Sequence, residues 1–89
     1  MLERNITIVN RLGLHARAAA KFVNIAKSYT STIKIGVGDR RVDGKSIMSV
    51  MLLAASQGTE IVLCADGADE QQALDAIAAL ISDRFGENE

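Results

Sequence analysis

Thr32-Ile33-Lys34-Ile35-Gly36-Val37, then Gly38-Asp39, then Arg40-Arg41-Val42-Asp43, is the stretch whose reading decides the fold. Its first six residues alternate, with Ile33, Ile35 and Val37 at the odd positions. That period belongs to a strand with one buried and one wet face. Gly38-Asp39 supplies a tight hairpin turn, so the next strand runs antiparallel to the first. Arg40 to Asp43 is short and charged, which suits a sheet edge. The apolar face of such a hairpin needs a covering layer, and helices must come from the flanking sequence.

Upstream, Asn5-Ile6-Thr7-Ile8-Val9 reads as a strand, with Ile6 and Ile8 on the face of Leu2. Asn10 to Gly13 is a loop. A helix is predicted from Ala16 to Lys27, its core stripe made by Ala19, Phe22, Val23 and Ala26. Downstream of the hairpin, Ser46 is placed to cap a helix over Ile47 to Ala55. That helix is apolar almost all round. Val50, Leu53 and Ala54 are assigned to the core, leaving Ile47, Met48, Met51 and Leu52 as an exposed docking patch. Methionine suits a surface that must fit more than one partner. Ser56-Gln57-Gly58 reads as a glycine stop.

Glu60 to Ala65 is a further strand, and Asp69 with Gln72 resembles a capping box. The last helix places Leu74, Ile77, Ala78, Ile81 and Phe85 on one stripe, and Gly86 onward reads as a frayed acidic tail. The order is βαββαβα. It predicts an α/β (α+β) fold, an open-faced β-sandwich over residues 1–89 as one domain. In it a four-stranded antiparallel sheet carries three helices on one face.

Composition narrows the function. The formal charge is −1 and the only aromatics are Phe22, Tyr29 and Phe85. Neither a basic surface nor a stacking platform for nucleic acid is present. Cys64 is the single cysteine, so there is no internal disulfide, and its apolar surroundings read as inert core. No cluster of cysteine and histidine offers a metal site. No apolar run approaches a membrane span, and no charged-then-apolar leader opens the chain, so a cytoplasmic protein without membrane insertion is expected. Gly36-Val37-Gly38-Asp39 sits in a hairpin and leads into no helix, unlike a phosphate-binding glycine loop.

The chemistry concentrates at Gly13-Leu14-His15-Ala16-Arg17. His15 is the only histidine and stands at a predicted helix start, where unpaired N–H groups and the helix dipole favour an anion. The dipole also disfavours imidazolium there and keeps a nitrogen lone pair free. Arg17 lies in the first turn, where a cation works against the dipole, as though held there for an anion. A histidine in this setting could accept a phosphoryl group that the guanidinium steadies. On residue chemistry alone, a structural or surface histidine is an equal reading. A protein-binding regulatory domain would need neither His15 nor Arg17. An RNA-binding α/β module is disfavoured by charge and by the lack of sheet aromatics.

Gly13-Leu14-His15-Ala16-Arg17 and Gly44-Lys45-Ser46-Ile47-Met48 together resemble the HPr family. These are the histidine-containing phosphocarriers of the bacterial phosphoenolpyruvate-dependent phosphotransferase system. The resemblance runs in one register over essentially the whole chain. It implies that His15 takes a phosphoryl group on Nδ1 from phospho-enzyme I and passes it to a histidine of an enzyme IIA protein or domain. Arg17 would steady the group, helped by the backbone N–H groups of Ala16, Arg17 and Ala18. Leu14, Ala20, Ile47, Met48 and Met51 would form the docking surface, with Lys21, Lys27 and Lys45 facing acidic partners.

Ser46 matches the serine modified by HPr kinase/phosphorylase, which opposes phosphorylation of the histidine. The carrier implied is a monomer with no cofactor and no metal, and not an enzyme by itself. An alternative is a regulatory protein-binding domain that acts through its phosphorylation state rather than in sugar transport. The family usually has proline where Ala18 stands, and alanine restores an N–H donor there. Arg11-Leu12-Gly13 resembles the nitrogen-related NPr branch, whereas the Ser46 signature resembles the kinase-regulated forms.

Overall fold

The computed structural model describes residues 1–88. The chain runs β1 (Leu2–Thr7), α1 (Ala16–Lys27), β2 (Thr32–Val37), β3 (Arg40–Asp43), α2 (Ile47–Leu52), β4 (Glu60–Asp66) and α3 (Glu70–Ser82), then a 3-10 turn at Arg84–Gly86. The hairpin forms as its alternation requires, with Lys34 opposite Asp43 and Val37 opposite Arg40. β4 inserts between β1 and β2, giving the antiparallel order β1-β4-β2-β3. The charged strand β3 is an edge, as its composition predicts.

Ile33, Ile35, Ile61, Leu63 and Ala65 point from the sheet into a single core. Phe22, Val23 and Ala26 of α1, Val50 of α2, and Leu74, Ile77 and Ile81 of α3 close it from the helical side. Each large side chain buried there contributes roughly 1.5–3 kcal/mol. The opposite sheet face carries Glu3, Asn5, Thr32 and Lys34, all exposed, which completes the open-faced sandwich.

Three sequence expectations are corrected. β1 lies at Leu2–Thr7 rather than Asn5–Val9. Ile8 is fully buried but lies beyond the strand, where its N–H donates to the Thr59 carbonyl (2.9 Å) and its carbonyl accepts from Gly58 (2.8 Å). α2 ends at Leu52 instead of Ala55, and its last N–H groups bond three residues back, Leu53 to Val50 and Ala54 to Met51. Ala54 takes a left-handed φ of 53° and is exposed, so it is no core residue, whereas Ala55 is buried. No glycine marks that stop. The turn instead aims the Ala55 carbonyl at the Leu14 N–H (2.9 Å). Finally, Asp69 stands at the start of α3 but makes no capping bond to its own helix. Its carboxylate accepts from Thr30 and Ser31 across the α1–β2 loop.

Candidate functional site

The site is built where the β1–α1 loop enters α1. Gly13 has φ +65°, and a Cβ there would lie 2.4 Å from the Ala55 carbonyl oxygen. Glycine alone satisfies both the backbone sign and that close approach. His15 is the residue that begins α1, in extended conformation, and its carbonyl accepts the Ala19 N–H at 2.8 Å. Its side chain does not cap the helix. The first-turn N–H groups of Ala16 and Arg17, both exposed residues, therefore face the helix start where an external anion would be favoured by the helix dipole.

Arg17 is exposed, and α1 has no acidic residue in its first turn. The Arg17 guanidinium, with Arg11, Leu12, Glu87 and Asn88, lines a surface cavity of about 260 Å³. His15 and Arg17 thus stand on either side of Ala16 at a helix start, and Arg17 reaches the hollow.

What the sequence reading missed is the far end of the chain. The tail from Gly86 does not fray over the described residues. Glu87 folds back over the site and its Oε2 pairs with His15 Nε2. Its Oε1 accepts from Asn10 Nδ2 at 2.9 Å, and the same amide nitrogen donates to the Gly13 carbonyl at 2.9 Å. Both neighbours of that amide are acceptors, which fixes the Asn10 nitrogen towards them. Asn10 is fully buried, and its Oδ1 finds no partner among the described residues.

The return of the tail is anchored by Phe85, fully buried, and by Lys21 Nζ donating to the Phe85 carbonyl at 2.5 Å. Arg84 and Phe85 both take left-handed φ, 55° and 54°, and so reverse the chain after α3. Burial works to raise the Glu87 pKa. Hydrogen bonds from Asn10 and His15, and the charges of His15 and Lys21, outweigh it and bring the carboxyl below its ordinary value. The one sequence signal of this return is Phe85, an aromatic residue continuing the α3 stripe just ahead of the acidic tail.

Ser46 begins α2 and its Oγ accepts the Ser49 N–H at 3.3 Å, the capping role its position predicts. Beside it Ile47, Met48, Met51 and Leu52 are exposed, by 41%, 67%, 37% and 60% respectively, so α2 does present an apolar patch. Leu14 is a correction. It was expected on the docking surface, but it is only 4% exposed and packs in the core. Ala20 is half-buried and Lys27 exposed. Lys21 and Lys45 anchor the carbonyls of Phe85 and Tyr29 (2.8 Å for the latter) while keeping their charge near the surface. Ala18 is fully buried, backbone included, so its N–H, expected at the phosphate site, is not presented at the surface.

Cys64 is shielded, on the outer sheet face rather than in the main core. Burial, then the hydrogen bond and charge of Glu3, push its thiol pKa up against the pull of Arg41. The described residues contain no group of three or more metal-ligating side chains. They also contain no helix long and apolar enough to cross a membrane.

Residues 2–83 match the family described as the PTS HPr component phosphorylation site. The chain is 54% identical over 89 residues to phosphocarrier protein HPr of Cupriavidus necator, covering all of both chains. It is 41% identical over 86 residues to phosphocarrier protein NPr of Shewanella violacea, covering 97% of this chain and 94% of that one. The crystal structure of HPr-C-His from Thermoanaerobacter tengcongensis superposes with a TM-score of 0.96 at 44% identity, over all of both chains.

Proposed function

The chain belongs to the HPr family of phosphocarriers of the phosphotransferase system, and from that premise we propose that His15 accepts a phosphoryl group on Nδ1 from phospho-enzyme I and passes it to a histidine of an enzyme IIA protein or domain. As a carrier it turns over no substrate alone. The observation that carries the proposal is the position of His15. It starts α1 beside uncapped N–H groups and Arg17, with its Nε2 already engaged by Glu87.

A doubly anionic phosphoryl group on Nδ1 would be met by the N–H groups of Ala16 and Arg17 and by the Arg17 guanidinium. Such contacts hold charge without a further covalent bond, so the group stays transferable. The exposed apolar residues of α2 are the proposed docking face for both partners, with Lys27 and Lys45 as the proposed positive charges towards acidic partners. Transfer takes place in the cytoplasm, with the carrier acting as a monomer.

A regulatory reading is favoured by one observation, the placement of Ser46 at the edge of that patch. Phosphorylation there by HPr kinase/phosphorylase would add about −1.5 to −2 charges at a helix start, where the fold tolerates them. An acidic partner would then be repelled, so the switch acts on docking.

The test is incubation with phosphoenolpyruvate and enzyme I, followed by intact mass and acid stability. One acid-labile phosphoryl group is expected in the native protein and none in His15→Ala. Arg17→Ala should still be phosphorylated, but about tenfold or more slowly. No label with a demonstrably active enzyme I contradicts the proposal.

A further inference from the structure

The C-terminal return over the site is a structural feature that phosphoryl acceptance by itself does not require. We infer that Glu87 is a positioning residue for His15, one that holds the imidazole proton on Nε2 and so presents Nδ1 as the nucleophile. The inference rests on the carrier reading above and adds to it a residue far away in the chain.

A carboxylate only accepts hydrogen bonds, so Nε2 facing Glu87 Oε2 must be the donor. In the neutral ring, Nδ1 then carries the lone pair. Among the described residues, Glu87 is the only hydrogen-bond partner of the ring. The carboxylate is itself held in place. Its second oxygen accepts a hydrogen bond from Asn10 Nδ2 at 2.9 Å, and Asn10 is locked by full burial and by its bond to Gly13. The segment carrying Glu87 is pinned by buried Phe85 and by Lys21 on the Phe85 carbonyl. Two successive non-glycine residues in left-handed conformation, Arg84 and Phe85, direct it there against their usual backbone preference. Strain of that kind persists where the surrounding contacts over-determine it, and the segment held in this way carries the carboxylate that pairs with the His15 ring.

The consequences follow through the transfer. The Nδ1 lone pair forms the N–P bond while phosphorus loses its bond to the donor protein's leaving atom, whose electron pair stays with the donor. His15 then bears phosphoryl on Nδ1 and the proton on Nε2, and the ring's positive charge faces the Glu87 carboxylate. In the onward step the N–P electron pair returns to Nδ1, and His15 departs as a neutral imidazole still protonated on Nε2. Glu87 therefore favours both directions by keeping one proton on one nitrogen.

The experiment compares native protein, Glu87→Ala and Glu87→Gln in two measurements. Imidazole 15N–1H correlation spectra of unphosphorylated protein, taken where the ring is neutral, report the tautomer and need no phosphoryl donor. Initial rates of phosphorylation by enzyme I report the effect on transfer. The native ring is expected to be the Nε2–H tautomer and Glu87→Ala a mixture, with a rate lower by about tenfold or more. Glu87→Gln, whose amide oxygen still accepts, should keep the Nε2–H tautomer and recover part of the rate. Identical tautomer populations in native protein and Glu87→Ala would overturn the inference, as would a shifted tautomer with an unchanged rate. Absence of any phosphorylation of native protein would instead sink the carrier reading, separately from the tautomer result.

Discussion

Asp69 at the start of α3 reaches back to Ser31, accepting its backbone N–H at 2.9 Å and its hydroxyl as well. The hydroxyl bond from Ser31, the N–H of Thr30 at 2.8 Å and the remaining bonds hold the Asp69 carboxyl at a pKa of about 2, against an ordinary 3.8. The contact ties α3 to the loop that delivers β2 into the sheet. A depressed carboxyl pKa means stability that is fully present above pH ~4 and is lost as pH falls towards 2. Asp69→Asn should therefore lower Tm at pH 6, with the offset shrinking through this window. Thermal melts from pH 6 to pH 2 check it, and a constant offset would contradict it.

Gly13→Ala should destabilise by at least about 2 kcal/mol, from its left-handed φ together with the added Cβ against the Ala55 carbonyl. Urea midpoints at unchanged slope report the loss. Because the same contact sets the approach to His15, phosphorylation should slow even where the variant is fully folded.

Met48 is 67% exposed, so Met48→Asp should change stability by no more than about 0.5 kcal/mol. If α2 is the docking face, the same change should weaken binding to enzyme I by about tenfold or more. Calorimetric titration separates the two. Unchanged affinity would remove α2 from the interface.

Ser46→Ala loses the hydroxyl that accepts from Ser49 and should cost about 1 kcal/mol, in the range known for helix caps. Ser46→Asp keeps an acceptor at the cap and should be nearly as stable as the native protein. It should nevertheless accept phosphoryl from enzyme I more slowly, because its charge sits beside the patch. Equal rates for the two variants would argue against a docking switch at Ser46.

The parts legible from sequence were those governed by local period. The alternation of Ile33 and Ile35, the stripe of Phe22, Val23 and Ala26, and the cap at Ser46 each depend on neighbours within a turn or a strand. The parts missed depend on contacts distant in the chain. Beyond the end of α2, Ala54 turns left-handed against its own propensity, and the Ala55 carbonyl then meets the Leu14 N–H. Asp69 forgoes its helix for a loop 38 residues away. Leu14 is a docking residue by the family resemblance alone, yet it packs inward. Glu87 read as solvent-exposed acid, since charge composition says nothing about a partner 72 residues away.

The most direct test is the identity of the phosphorylated atom. With uniformly 15N-labelled protein phosphorylated by enzyme I, phosphorus–nitrogen couplings and imidazole 15N shifts locate the group. Phosphorus is expected on Nδ1 of His15, with the proton retained on Nε2 opposite Glu87. Phosphorus on Nε2, or an acid-stable ester on Ser46 with an unmodified His15 ring, would contradict it.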